Sequence, residues 1–275
     1  MTTHLYTIAR LEFTAAARLN WTRVLMAALA LLASAAAYSA GAADELTGPD
    51  GFARTTTALV PVVLILVPLA ALILGISGQA AEAGTEPFLF SQPVGRTTVV
   101  IGRWIGESIA LGGAIVVGLG VGASVVVLGN GADGLIRFMA FVSGAVVLAM
   151  TFLSIAAAIA AATDKRAAAL GIGTFVWCFF VLLYDGAALS VAGWITGSLG
   201  GRILLGSVFG NPADLIRVVT LSVAGTPNVL GAAGEAWIRF LGGTTTATVA
   251  AIAALAAWTA VPLAVGAYLM RGRDF

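Results

Sequence analysis

Residues 58–77 read ALVPVVLILVPLAALILGIS, a run of twenty residues without a charged side chain. Backbone amides in lipid must find hydrogen-bond partners within their own segment, so a run of this length predicts a transmembrane α-helix. We expect Pro61 and Pro68 to bend that helix. Of all 275 residues, 60% are hydrophobic and 10% are charged, whereas roughly a quarter are charged in an ordinary soluble domain. The composition therefore excludes a water-soluble domain and a disordered chain.

Five other blocks of about twenty apolar residues accompany this one, and none alternates in the manner of an outer-membrane β-barrel. The prediction is an all-α membrane protein with a single transmembrane domain, residues 1–275. Its six spans are predicted at 24–43, 58–77, 108–129, 138–162, 168–193 and 246–270. A cleaved signal peptide is the alternative for the first block, because Ala40-Gly41-Ala42 resembles a cleavage site. The charged leader through Arg23 is too long for that role, which favours an uncleaved helix.

The distribution of Lys and Arg predicts which ends face the cytoplasm. With the amino terminus inside, the inner segments hold nine of the 14 Lys and Arg residues and the outer segments hold five. Three of those five lie in the long segment between the fifth and sixth spans, where the rule is weak. Both termini are therefore predicted to be cytoplasmic.

The leader before the first span has a regular polar stripe. Residues at helical spacing form it: Thr3, Thr7, Arg10, Thr14 and Arg18. Apolar residues lie largely opposite: Leu5, Ile8, Ala15 and Leu19. The pattern predicts an amphipathic helix on the inner membrane surface rather than an unstructured polar tail. Glu12 lies off the polar stripe, so we expect it to pair with a cation or with a partner chain.

The inner segment from Gly78 to Arg96 is longer than the usual connection of about 4–6 residues. It combines carboxylates and turn residues with the apolar triplet Phe88-Leu89-Phe90. Apolar residues in a cytosolic segment predict a docking face. An interfacial helix that contacts only lipid is the alternative.

The outer segment, residues 194–245, contains Asn211-Pro212-Ala213-Asp214. Asn at the N-cap, Pro at the first helical position and Asp at the third predict a short outer helix. This helix either caps the bundle against water or presents Arg217 to an external partner.

Charged and small residues within or beside the spans lead to three expectations. Asp185 is predicted near the outer boundary of the fifth span, as an interfacial anchor rather than a proton relay. Glu107 lies one turn after Arg103 at the inner edge of the third span, so we expect an ion pair between them. Two glycine pairs predict close helix packing: Gly102 with Gly106, and Gly118 with Gly122.

The residue inventory excludes several kinds of active site. His4 is the only histidine, and no cluster has metal-ligand spacing, which excludes histidine-based catalysis and a metalloprotease. Lys165 is the only lysine and follows Asp164, so the chain has no phosphate-binding loop. Any nucleotide hydrolysis must take place in another polypeptide. A net charge of +1 gives no basic surface for nucleic acid.

Several short segments together resemble the inner part of ABC-2 type permeases. They are Glu82-Ala83-Gly84-Thr85, Pro93-Val94-Gly95-Arg96 and Gly102-Arg103. The leader segment Ile8-Ala9-Arg10-Leu11-Glu12 looks like the amino-terminal surface helix of that family, and six spans with both ends inside complete the match. Two further segments, NPADLIR at 211–217 and LLYD at 182–185, look similar to the Nos-type subgroup. That subgroup is linked to copper-site maturation of nitrous oxide reductase.

The resemblance implies the membrane subunit of an ABC transporter, in which a separate ATPase drives the movement of a cargo that the sequence does not identify. It implies two copies of the chain and two of the ATPase, with ATP and Mg on the ATPase and no cofactor or metal in this chain. The residues implied to couple to the ATPase are Gln79, Glu82, Gly84, Thr85, Glu86, Phe88, Phe90, Pro93, Arg96 and Arg103. The surface helix would use Arg10, Glu12 and Arg18. An exported accessory protein would meet Asn211, Asp214 and Arg217.

Four positions depart from the family pattern: Gln79 stands where the family usually has Glu, Ala80 and Ala81 replace neighbouring charges, and Arg103 replaces a Lys. Arg preserves the charge of Lys but not its geometry. Two other functions stay open. An ion-coupled secondary transporter would need a midplane ion site and repeat symmetry, and the sequence shows no convincing repeat. A non-transporting membrane anchor would hold an external partner through the outer helix.

Overall fold

The computed structural model describes residues 2–42, 50–79, 95–195, 198–223, 237 and 239–271. Within those ranges the chain is helical and contains no β-strand. The helices are α1 (Thr2–Arg18), α2 (Asn20–Ala42), α3 (Asp50–Gln79), α4 (Arg96–Asn130), α5 (Leu135–Ala162), α6 (Arg166–Cys178), α7 (Tyr184–Trp194), α8 (Ser198–Ser207), α9 (Pro212–Val223) and α10 (Thr244–Arg271). A π-helical turn, Phe179–Leu183, joins α6 to α7, and a 3-10 turn, Val208–Gly210, follows α8.

Within the described residues, six stretches of helix are long and apolar enough to cross a membrane, which agrees with the predicted number of spans. They are Asn20–Ala40, Gly51–Gln79, Arg96–Gly129, Leu135–Ala162, Arg166–Trp194 and Thr244–Arg271. The third begins at Arg96 rather than at the predicted residue 108, because nothing between these positions breaks the helix. Arg103 and Glu107 are therefore part of the helix that contains the third span.

The fifth span is not one regular helix. The π-helical turn at Phe179–Leu183 interrupts it, and the carbonyl oxygen of Phe180 accepts a hydrogen bond from Nδ2 of Asn211 at 3.0 Å. Such turns widen a helix and free backbone groups for other partners. The apolar sequence of this span gives no signal for the irregularity, because its partner lies 31 residues further along the chain.

The described part of the segment between the fifth and sixth spans includes a helix that the sequence did not predict. The predicted helix is α9, and Asn211 caps it as expected: its Oδ1 accepts from the backbone N–H of Ala213 at 3.0 Å. The additional helix is α8, whose sequence SLGGRILLGS has no N-cap signal beyond a serine and contains three glycines. The stretch Leu199–Gly210 meets Pro212–Thr220 at an angle of 96°, so the two do not form one straight span.

The core of the bundle is built around α5. Phe138 and Phe141 of α5 are fully buried, and the ring of Phe138 lies 5.5 Å from that of Phe52 in α3, measured between centroids. Helix α5 packs against α3, α4 and α10, and it also contacts α9. Burial of these aromatic side chains fixes the relative positions of the spans.

The glycine pair in the outer half of α4 has the predicted packing role. A Cβ added at Gly118 would lie 2.9 Å from the Cβ of Leu29, and one added at Gly122 would collide with the Cβ of Ala33. Both neighbours belong to α2, so the first and third spans are in backbone contact here. The prediction of close packing at Gly118 and Gly122 is confirmed.

We expect Gly122→Val to lower the melting temperature of the detergent-solubilised protein, because overpacking of this kind costs about 1–3 kcal/mol. Gly120→Val is the matched control, since a Cβ at Gly120 meets no atom within 4 Å and the change in helix propensity is the same. Differential scanning fluorimetry measures both variants. Equal melting temperatures would contradict the packing of α2 against α4.

Helix α1 confirms the predicted helical leader, but its apolar side contacts protein. A Cβ at Gly102 of α4 would lie 2.8 Å from Cγ2 of Ile8 and 3.5 Å from the carbonyl oxygen of Leu5. The expected apolar stripe is therefore partly covered by the third span rather than by lipid. The position of α1 on the membrane surface stays a prediction.

Candidate functional site

Three of the residues predicted to couple to an ATPase lie in the described part of the chain: Gln79, Arg96 and Arg103. The others fall outside the described residues: Glu82, Gly84, Thr85, Glu86, Phe88, Phe90 and Pro93. Gln79 is the last residue of α3 and Arg96 is the first of α4. Gln79 directly precedes residues 80–94 in the sequence, and Arg96 follows them after Gly95.

Arg103 joins α4 to α1 through an ion pair. Its Nε lies 3.1 Å from Oε1 of Glu12. A glycine makes this approach possible, because a Cβ at Gly106 would lie 2.8 Å from the backbone nitrogen of Phe13. The expectation that Glu12 pairs with a cation is confirmed. The expected ion pair between Arg103 and Glu107 is not formed, since Arg103 turns towards α1.

The surroundings of this ion pair are largely protein. The side chains of Arg103 and Glu12 are 18% and 22% exposed, respectively. Burial raises the pKa of the Glu12 carboxyl above its ordinary value of 4.5, and the guanidinium of Arg103 opposes that rise. A half-buried pair of this kind is more sensitive to loss of one partner than an exposed pair, because the remaining charge stays desolvated.

Arg96 connects the start of α4 with the end of the sixth span. Its Nη1 donates to the carbonyl oxygen of Arg271 at 3.3 Å, and Nε of Arg271 donates to Oγ1 of Thr97 at 2.9 Å. Neither contact was predicted, because the partners are 174 and 175 residues apart in sequence. Four helices thus meet at the end of the bundle that holds Gln79 and Arg96: α1, α3, α4 and α10.

Glu107 is the most deeply buried carboxyl in this region, with 1% of the residue exposed. It faces the last turns of α3, where a Cβ at Gly78 would collide with its Oε1 and a Cβ at Gly75 would lie 3.7 Å from its Oε2. The side-chain amide of Gln79, 3% exposed, lies beside it. In the described part of the chain, neither carboxyl oxygen has a well-aligned hydrogen-bond partner.

The residues predicted for the surface helix do not share one environment. Glu12 faces α4, whereas Arg10 and Arg18 are exposed. The exposed arginines are compatible with the predicted contact to lipid headgroups, which stays a prediction.

The residues predicted to face an external partner are engaged within the chain. Asn211 is buried and its Nδ2 lies 3.1 Å from Oδ2 of Asp214, which is also buried. Nη1 of Arg217 lies 3.1 Å from Oδ1 of Asp214 and 3.1 Å from Oδ2 of Asp185. This cluster ties α9 to the outer part of the fifth span. Of the three predicted contact residues, only Arg217 has a substantially exposed side chain, at 42%.

A known protein family matches nearly the whole chain. The sequence model of the family described as "ABC-2 family transporter protein" matches residues 6–275. The chain belongs to the ABC-2 transporter family. This ABC-2 permease is therefore a multi-pass protein of the cell membrane and a transporter subunit rather than an enzyme.

Two curated relatives of this ABC-2 permease are named "Probable ABC transporter permease protein NosY". The protein from Pseudomonas aeruginosa is 30% identical over 223 residues, which cover 79% of this chain and 81% of the relative. The protein from Stutzerimonas stutzeri is 27% identical over the same length and with the same coverage. These identities confirm the resemblance to Nos-type ABC-2 permeases.

Family membership favours the ABC transporter over the ion-coupled secondary transporter that the sequence left open. Among the described residues, no group of three or more His, Cys, Asp and Glu side chains could hold a metal ion. The polar groups at the inner end of this ABC-2 permease link helices to one another. Their arrangement is suited to transmitting movement rather than to chemical catalysis.

Proposed function

We propose that this permease couples ATP hydrolysis by a separate ABC ATPase to a change in the packing of its six spans. Residues 80–94, which we call the coupling segment, would fit against the ATPase. Glu82, Glu86 and Arg96 would make polar contacts, and Phe88 and Phe90 would be apolar anchors. Two permease chains and two ATPase chains would form the transporter, with ATP and Mg bound by the ATPase and both permease termini in the cytoplasm.

The observation that supports this proposal is the convergence of helices at both ends of the coupling segment. Gln79 precedes the segment in α3, and Arg96 follows it in α4. At that level α4 contacts α1 through Arg103 and Glu12, and it contacts α10 through Arg96 and Arg271. A displacement of the segment would therefore act on several helices together.

Such a linked set of helices can behave as a two-state element. Closure of the ATPase around ATP would favour one packing of the spans, and hydrolysis would return the other. The side-chain hydrogen bond from Nε1 of Trp104 to the carbonyl oxygen of Met150, at 3.2 Å, extends the connection from α4 to the central helix α5. The inner contacts are thereby continuous with the core.

The docking proposal is tested by replacing its apolar anchors. We expect Phe88→Ala combined with Phe90→Ala to reduce co-purification of the ATPase by about tenfold or more, because aromatic anchors at an interface commonly contribute 2 kcal/mol or more each. The matched control is Leu199→Ala combined with Phe240→Ala, which removes two exposed apolar side chains between the fifth and sixth spans. Unchanged co-purification of the first variant would contradict docking through this segment.

We further propose that the transporter acts in maturation of a copper enzyme, nitrous oxide reductase, together with an exported accessory protein. The two relatives named NosY and the NPADLIR segment support this role. A strain lacking the permease should produce nitrous oxide reductase with altered copper-centre absorption, and the intact gene should restore it. Normal copper spectra in the deletion strain would contradict this role. They would not contradict the proposed coupling to an ATPase.

A further inference from the structure

The Glu107 carboxyl lies in a notch on α3 that only glycine permits. Gly78 lies on the side of α3 that meets α4, and any side chain at Gly78 would occupy the place of Oε1. Gly75, one turn earlier, admits Ala156 of α5, and a Cβ there would also lie 3.7 Å from Oε2 of Glu107. Ordinary helix packing in a membrane would fill such a notch with a small apolar residue. Here a carboxyl occupies it, one turn before the coupling segment begins.

Among the described residues, no Lys or Arg forms an ion pair with Glu107 that would account for its burial. Arg103, the nearest guanidinium along α4, is paired with Glu12. The coupling segment cannot supply a positive side chain, because residues 80–94 contain neither Lys nor Arg. A buried acid without a cation destabilises a fold. Its polar neighbour is the side-chain amide of Gln79, which likewise has no well-aligned partner among the described residues.

We propose that Glu107 is a positioning residue for the coupling segment: its carboxyl, seated against Gly78 and beside Gln79, fixes the last turn of α3 to α4. This inference rests on the proposed function. When the ATPase displaces the coupling segment, the contact makes α3 and α4 move together instead of sliding past each other. Because Arg103 holds α1 to the same part of α4, the contact extends that movement to the amino-terminal helix.

A polar contact is suited to this role because it has direction. Apolar side chains of similar volume slide past one another at little cost, since lipid and protein contacts are nearly equivalent in a membrane. An amide and a carboxyl attract each other only over a narrow range of relative positions. Among the described residues these two groups have no other well-aligned partner, so sliding of α3 along α4 would remove that attraction without offering a replacement. The notch therefore specifies the register of α3 on α4 as well as their distance.

The test exchanges the two side chains. Gln79→Glu places two carboxyls next to each other, so their repulsion should open the contact. The double variant Gln79→Glu with Glu107→Gln restores one acid and one amide in exchanged positions. Each variant is reconstituted in liposomes with its cognate ABC ATPase in a Cys178→Ser background, because Cys178 is the only cysteine.

The measured quantity is a distance at the opposite end of α4. Leu128 is 88% exposed, and it lies about 30 Å from Glu107 along the helix axis at 1.5 Å per residue. Spin labels at Leu128→Cys on the two copies report whether trapping with ATP and vanadate moves this end. In the protein with Gln79 and Glu107 intact, we expect trapping to change the distance between the two labels clearly. Gln79→Glu should lose about half or more of that change, and the exchanged pair should recover it. ATPase co-purification is measured in all three, so that distance changes are compared only between proteins that bind the ATPase.

The outcomes separate this inference from the proposed function. If the protein with Gln79 and Glu107 intact binds no ATPase, or if trapping leaves its label distance unchanged, the proposed coupling to an ATPase is itself wrong. If the protein with both residues intact shows the distance change and Gln79→Glu shows it as well, Glu107 does not position the segment. The same conclusion holds if the exchanged pair binds the ATPase but fails to recover the distance change.

A second measurement covers variants that assemble poorly with the ATPase. Hydrogen exchange of the detergent-solubilised permease alone compares Glu107→Leu with Glu107→Gln. We expect exchange in residues 75–79 to accelerate about tenfold in the leucine variant, since the register contact is lost. The glutamine variant should stay close to the unsubstituted protein, and α2 should be unaffected in both. Equal exchange in the two variants would overturn the inference.

Discussion

Gly106→Leu is expected to detach the amino-terminal helix from the bundle. A Cβ at Gly106 would lie 2.8 Å from both the backbone nitrogen of Phe13 and the Cβ of Glu12, so a leucine could be accommodated only by moving the backbone of α1. Overpacking against a backbone costs about 3 kcal/mol at the upper end of its usual range, and the ion pair to Arg103 would be lost as well. We expect proteolysis of the first 18 residues to become at least about tenfold faster.

Gly113→Leu is the control for this experiment. It lies on the same helix, and a Cβ at Gly113 has no neighbour within 4 Å. Limited proteolysis and ATPase co-purification are measured in parallel on both variants. If Gly106→Leu is cleaved no faster than Gly113→Leu, the contact between α1 and α4 does not exist as described. A cleaved Gly106→Leu variant that still couples ATP turnover to transport would show instead that α1 is dispensable for coupling.

Arg103→Leu is expected to destabilise the same contact in a pH-dependent manner. Burial already raises the pKa of Glu12 above 4.5, and loss of the guanidinium that opposes this shift raises the pKa further. An acid whose pKa is raised by folding supports the fold fully below its unfolded pKa and loses that support as the pH rises through its folded pKa. The variant should therefore be close to normal near pH 4.5 and lose about 2 kcal/mol towards neutral pH.

The double variant Arg103→Leu with Glu12→Gln isolates the carboxyl as the cause. It lacks the titrating group, so its melting temperature relative to the unsubstituted protein should vary little between about pH 5 and pH 8. Thermal unfolding in detergent at several pH values measures all three proteins. A pH profile of Arg103→Leu parallel to that of the unsubstituted protein would show that Glu12 is solvated and that the pair contributes little.

These two predictions concern one structural unit. Gly106 sets the distance between α1 and α4, and the pair of Arg103 and Glu12 sets their relative orientation. Arg96 and Arg271 join α4 to α10 a few turns away. The inner end of the permease is therefore held by a small number of polar contacts between helices that are far apart in sequence, and each contact can be removed separately.

Polar side chains also join helices at the opposite end of the bundle. Arg217 contacts Asp185 and Asp214, and Asn211 contacts both Asp214 and the carbonyl oxygen of Phe180. These contacts fasten α9 to the irregular part of the fifth span. They leave a single predicted partner-contact residue, Arg217, with much of its side chain exposed. Any external partner would thus meet a surface whose shape depends on the fifth span.

The number of spans and the cap of α9 followed from local sequence. A block such as 58–77 must be helical wherever it lies in lipid, because its own backbone is the only hydrogen-bond partner available there. Asn211 and Pro212 likewise determine a helix start by themselves. The glycine pairs in α4 indicated close packing, because the absence of a Cβ is a property of the sequence. Their neighbours in α1 and α2 were not predictable.

The inner site depended on tertiary structure. Sequence spacing favoured an ion pair between Arg103 and Glu107, four residues apart on one helix, but in the fold α1 offers Arg103 a carboxyl and α3 offers Glu107 a glycine notch. Local spacing describes neighbours along a helix, whereas the energy of a buried charge depends on every helix that encloses it. The sequence thus determined that six apolar helices exist and, apart from the early start of the third, roughly where they lie. Only their packing decided which charges meet, because contacts such as those of Arg96 and Arg271 form between residues that the chain itself holds far apart.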